Sequence, residues 1–84
     1  MLIWCVQTAY VLVNCDLGTE MDVIEKLRCI ESIKEVHGTF GAFDIIAKIE
    51  NSEREKVRET IIKHIRKIDY VRSTLTLMGI EGQN

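Results

Sequence analysis

The chain has 84 residues, enough for one domain built around one core. Hydrophobic residues make up 46% and charged residues 29%, an ordinary soluble balance that excludes a disordered or fibrous chain. The net charge of −2 excludes a global positive field that would draw the chain to nucleic acid or to an anionic membrane. At this size folding buries only ~60% of the extended chain's surface, so the domain gains by burying a further face in a partner.

Cys5, Cys15 and Cys29 are odd in number and form no C-x-x-C pair. That favours reduced thiols in a cytoplasmic protein over a disulfide scaffold. The apolar opening MLIWCVQTAYVLV has no basic leader and is interrupted by Gln7, Thr8 and Asn14. It is shorter than the ~20 apolar residues of a membrane-spanning helix, so it reads as a strand.

Ala9 to Asn14 reads as a first strand, apolar on both faces. Asp16-Leu17-Gly18 is a turn, and Thr19 is placed to cap a helix, with Asp22 three residues on. Val23, Ile24, Leu27 and Ile30 keep helical spacing and predict a first helix over 20–31. Ile33 to Phe40 and Phe43 to Glu50 read as a hairpin around Gly41-Ala42, a pair suited to a two-residue type II′ turn. In that register Val36 opposes Ala47, and Glu35 opposes Lys48 as a favourable charge pair. One face of the hairpin then holds Val36, Phe40, Phe43, Ile45, Ala47 and Ile49, and the other His37, Thr39, Asp44, Ile46 and Lys48.

Asn51 or Ser52 caps a second helix, with Ser52-x-x-Glu55 as a capping box and Val57, Ile61, Ile65 and Ile68 as its apolar stripe. Val71 to Met78 is the fourth strand, with Arg72, Thr74, Thr76 and Met78 on one face. The order βαββαβ predicts an α+β, ferredoxin-like domain over residues 1–84. Right-handed crossovers give an antiparallel sheet in the order 4-1-3-2 with both helices on one face. Tyr10, Leu12, Ile46 and Met78 would lie on the uncovered face, a candidate association surface.

No catalytic or metal-binding constellation stands out. His37 and His64 fall on different elements without ligand spacing. No G-x-S-x-G, catalytic carboxylate pair or phosphate loop is present. Acylphosphatases share this topology but need an arginine-bearing glycine loop where this chain has Asp16-Leu17-Gly18-Thr19. Residues 52–68 carry a net charge of +3 from Arg54, Lys56, Arg58, Lys63, Arg66 and Lys67 against Glu53, Glu55 and Glu59, and read as a solvated helix face. The chain is therefore read as a non-enzyme without a cofactor.

The informative segment is Phe40-Gly41-Ala42-Phe43-Asp44. Glycine lets backbone approach an anion such as a carboxylate, and Asp44 can take an ammonium group. Thr74 and Thr76 add hydroxyls. Such a set suits both charged ends of an amino acid, although a glycine turn with β-favouring threonines accounts for the same residues structurally.

From Val36 onward, V-x-G-x-x-G-x-F-D-I-I-A-K followed by a capped helix and V-R-S-T-L-T-L resembles the effector-binding (RAM) domain of Lrp/AsnC regulators. The likeness in element order spans essentially the whole chain. It implies amino-acid effectors bound between dimers near the glycine turn and the last strand. By position those residues are Gly41, Ala42, Phe43 and Asp44, with Thr74 and Thr76. It also implies a homodimer through the sheets and a higher ring of dimers. The usual regulator has an N-terminal helix-turn-helix, and here the first strand begins within ten residues. A stand-alone form is therefore expected, without direct DNA binding or a membrane role, and with full-length regulators of the family as possible partners. Ala42 replaces an acidic residue of some members, and Asp69-Tyr70-Val71 departs from their turn before the last strand. The alternatives are an interaction module with a vestigial ligand site and an ACT-like amino-acid-binding domain, which shares the topology.

Overall fold

A computed structural model describes residues 7–79. Cys5, the rest of the apolar opening through Val6, and residues 80–84 lie outside the described residues. The elements are β1 (Gln7–Cys15), α1 (Glu20–Arg28), β2 (Ile33–Gly38), β3 (Ile45–Asn51), α2 (Arg54–Glu59) with a π-helical continuation (Thr60–Ile65), and β4 (Val71–Met78). The four strands form one antiparallel sheet in the order β2-β3-β1-β4, the expected 4-1-3-2 read from the other edge.

Alternation along the central strands decides which face is covered. Ala9, Val11 and Val13 of β1 and Ile45, Ala47 and Ile49 of β3 are fully buried. They meet Val23 and Leu27 of α1 and Val57 and Ile65 of the second helical segment, so both helices pack on one face. No helix among the described residues is long and apolar enough to cross a membrane.

Several local expectations are corrected. The first helix ends at Arg28 rather than 31. Its last turn tightens: the amides of Cys29 and Ile30 donate to Lys26 and Leu27, three residues back. Thr19 holds the N-cap position of α1 as expected, but its side chain makes no capping bond, because its hydroxyl donates to the Asp16 carbonyl at 2.6 Å, closing the preceding turn. Neither Ser52 nor Glu55 caps α2; Asn51 Oδ1 instead accepts the Glu53 amide at 3.0 Å as an Asx turn.

The hairpin keeps its expected register, with Val36 opposite Ala47 and Glu35 opposite Lys48. Its strands stop at Gly38 and Ile45, so a six-residue loop replaces the two-residue turn. Phe40, expected on the apolar face, is fully exposed at the loop's tip. Lys48 lies closer to Glu50 (3.2 Å) than to Glu35 (3.9 Å), and the Glu50 hydrogen bond and charge raise its pKa.

The largest correction concerns β4. Leu12 faces Leu75 and Tyr10 faces Leu77, whereas Thr74 and Thr76 face Val13 and Val11. Directly opposed residues share a face, so Thr74, Thr76 and Met78 lie on the helix side. Leu75 and Leu77 take the uncovered side, 47% and 53% exposed. A shift of one residue exchanges the two sets, and neither is polar enough to fix the choice from sequence. Here the register follows the Asp16 amide donating to the Tyr70 carbonyl at 2.9 Å, with a bulge between Asn14 and Cys15. Tyr70 holds that position at φ +77°, a left-handed backbone costly for an aromatic residue.

Candidate functional site

The loop from Thr39 to Asp44 is tied at its base and open at its tip. The Thr39 amide donates to the Asp44 carbonyl at 2.8 Å, and its hydroxyl to the Phe43 carbonyl at 2.7 Å. Gly41 adopts φ +125° with nothing within 4 Å of where a Cβ would stand. Glycine is therefore required for backbone conformation rather than for space. Phe40, Gly41 and Ala42 are exposed, and Phe43 and Asp44 are half-buried.

Asp44 anchors the loop to the neighbouring strand. Its amide donates to the Val13 carbonyl at 3.0 Å, and its Oδ2 accepts the Cys15 amide at 3.0 Å. The carboxylate thus extends the ladder just before β3 begins. One oxygen has that structural task, and Oδ1 makes no hydrogen bond within the described residues.

Thr74 and Thr76 lie on the far side of β1 from this loop. Thr74 is opposite Val13, the same residue whose carbonyl receives the Asp44 amide. Two strand spacings, roughly 9.6 Å, separate Asp44 from that line of threonines. One subunit therefore brings Gly41, Ala42, Phe43 and Asp44 together and holds Thr74 and Thr76 apart from them. The threonines instead open on recesses between β4 and the second helix. Thr76 lines one of about 280 Å³ with Met78 and Arg58, and Thr74 one of about 370 Å³ with Arg66 and Arg72. Arg58 and Arg66 belong to the 52–68 stretch that the sequence presents as a solvated helix face.

Among the described residues no three His, Cys, Asp or Glu side chains gather as a metal site. His37 lies 3.3 Å from Glu35, and both are exposed. Burial pushes the Cys15 thiol up from its ordinary 9.0, and the Asp44, Glu20 and Asp16 carboxylates add to the shift while a Thr19 hydrogen bond opposes it. The folded state thus retains the thiol proton above that value. Stability from this group is complete at lower pH and declines as pH rises through 9.0 toward the folded value. Exposed Cys29 should accordingly be alkylated by iodoacetamide ~10-fold or more faster than Cys15 at neutral pH. Peptide-resolved mass spectrometry showing equal rates would contradict this burial.

Comparisons with known proteins agree with the fold. The family model described as "Lrp/AsnC ligand binding domain" matches residues 8–81. An uncharacterized HTH-type transcriptional regulator of Pyrococcus furiosus is 32% identical over 75 residues, covering 86% of this chain and 50% of the regulator. The chain spans about half the length of the curated relatives it matches. A crystal structure of a hypothetical protein from Pyrococcus horikoshii has a TM-score of 0.83 at 31% identity, covering 88% of this chain and 89% of that one. A Neisseria meningitidis transcriptional regulator solved with L-Met shares the fold, with a TM-score of 0.80 at 9% identity over 93% of this chain and 52% of that one. With the matching model spanning the sheet and both helices, the chain belongs to the Lrp/AsnC ligand-binding-domain family.

Proposed function

We infer that this domain binds an amino-acid effector and modulates transcriptional regulation, without catalysing a reaction itself. The observation that carries the reading is the exposed, positive-φ Gly41 loop leading into Asp44. Its accessible backbone amides suit a carboxylate, and the uncommitted Asp44 oxygen suits an ammonium group. The Neisseria meningitidis regulator, solved as an L-Met complex, supports the ligand class by its fold.

The site is completed between subunits, with Gly41, Ala42, Phe43 and Asp44 from one and Thr74 and Thr76 from another. Separation of the two sets within one chain motivates this arrangement. A homodimer forms through the uncovered sheet face, where Tyr10, Leu75 and Leu77 are 40%, 47% and 53% exposed. Further association of dimers brings loops and β4 strands together, and full-length regulators of the family are candidate partners. The domain works in the cytoplasm and does not contact DNA directly; its net charge of −2 fits that role.

A thermal-shift screen against the twenty amino acids tests the reading. A ligand selective for the native state raises the melting temperature, by an amount set by ~2.7 kcal/mol at a hundredfold excess over Kd. At least one amino acid is expected to do so at millimolar concentration. No shift with any of them would favour an interaction module, a reading consistent with Asp44's existing bond to the Cys15 amide.

A further inference from the structure

β1 enters the sheet at its corner with no ladder before it. Gln7 faces Asn51, the last residue of β3, and the Gly79 amide reaches the Thr8 carbonyl at 2.8 Å just past the end of β4. Among the described residues, neither neighbouring strand continues as a partner for the chain before Gln7. The sequence there is the apolar opening MLIWCV. It also precedes the stretch matched by the family model, which begins at residue 8.

Three features tie this segment to the uncovered sheet face. The first is alternation. Tyr10 and Leu12 stand on the uncovered side of β1, whereas Ala9 and Val11 are buried under the helices. A period of two assigns Val6, Trp4 and Leu2 to the same register set as Tyr10 and Leu12. The second is the lack of a reversal signal. MLIWCV contains no glycine, proline, asparagine or aspartate, so its sequence offers no turn by which the chain could double back over its own sheet. The third is area. A standard interface buries ~800 Å² on each partner, of which ~65% is apolar in homodimers, or roughly 500 Å². Half-exposed Tyr10, Leu75 and Leu77 offer on the order of 250 Å² between them, and half-buried Leu12 and Ile46 add less. A tryptophan, with ~200 Å², and a leucine close most of the difference.

We propose that Leu2, Trp4 and Val6 of one subunit pack on the uncovered sheet face of a second copy, over Tyr10, Leu75 and Leu77, and complete the dimer interface. In a two-fold dimer the exchange is reciprocal, so each face receives one segment. Trp4 is the anchor, since large aromatic side chains dominate the energetics of such contacts. This assignment rests on the sheet-face dimer proposed above and adds to it a segment outside the matched family domain.

Trp4 is the chain's one tryptophan, so the intrinsic fluorescence of the intact protein reads its surroundings directly. At micromolar concentration its emission is expected to be blue-shifted, with acrylamide quenching severalfold weaker than for a solvated indole. Dilution through the dimer Kd, followed by sedimentation on the same samples, is expected to red-shift the emission in step with dissociation. Leu77→Lys should give the solvated spectrum at every concentration. Trp4→Ser is expected to raise the dimer Kd ~100-fold, because the ring is lost twice per interface, and Trp4→Phe less than ~10-fold. Circular dichroism on both variants separates lost association from lost fold, and the wild-type dilution series decides the matter even where a Trp4 variant fails to fold. A wild-type dimer with a solvated Trp4 would overturn the proposal and leave the sheet-face dimer standing. A blue-shifted Trp4 in the folded Leu77→Lys monomer would put the segment on its own subunit and overturn it as well. A wild type that is monomeric at micromolar concentration would overturn the dimer and this inference with it.

Discussion

Asp44→Ala is expected to lower both stability and ligand affinity, and Asp44→Asn to lower affinity alone. The Asp44 carboxylate accepts the Cys15 amide at 3.0 Å beside a buried Cys15. Alanine leaves that donor unsatisfied, a cost of ~1–3 kcal/mol. The whole domain has only ~4–13 kcal/mol at ~0.05–0.15 kcal/mol per residue, so urea denaturation should show a marked fall in midpoint. Asparagine keeps an acceptor oxygen for the amide and should remain close to wild type in stability. Both variants lose the charge that would hold an ammonium group, a loss of ~1.5–3 kcal/mol, or roughly 10- to 150-fold in Kd. An Asp44→Asn variant with undiminished affinity would confine the carboxylate to its structural task. An alanine variant as stable as wild type would remove that task as well.

Leu77→Lys is expected to convert the protein to a monomer. Leu77 is 53% exposed and lies opposite Tyr10, itself 40% exposed, on the uncovered sheet face. In a two-fold interface each position occurs twice, so the substitution removes two apolar contacts and introduces two charges. Loss of about 1.5 kcal/mol of burial at each copy gives about 3 kcal/mol, or over ~100-fold in dimer Kd, before any charge is desolvated. Because the face is already solvated in a single subunit, the monomer should stay folded. Sedimentation equilibrium at micromolar concentration, with circular dichroism on the same sample, reads both outcomes. A variant that sediments as wild type would place the association surface elsewhere.

The sequence carried most of the fold because its strongest signals were periodic. Val36 opposite Ala47 followed from alternation around one glycine turn, and the register held even though the loop is six residues long. Core positions such as Val23, Leu27, Val57 and Ile65 followed from helical spacing. β4 did not yield to the same reasoning. On an edge strand both faces are partly exposed, so leucines and threonines compete for the core side with little difference in burial energy. Long-range bonds settled the matter, notably the Asp16 amide to the Tyr70 carbonyl. The misplaced threonines came from that reversal. Asp44's bond to Cys15, 29 residues away, had no local signal.

The central claim is that an amino acid binds at the Gly41–Asp44 loop in a site completed by a neighbouring subunit. Isothermal titration calorimetry with the strongest ligand from the thermal-shift screen, on wild type and on Leu77→Lys, tests it most directly. The predicted result is saturable binding to the assembled wild type, and an affinity for the folded monomeric variant reduced by at least an order of magnitude. Wild type that gives no saturable heat, or a monomeric variant that binds as tightly as the assembly, would contradict it.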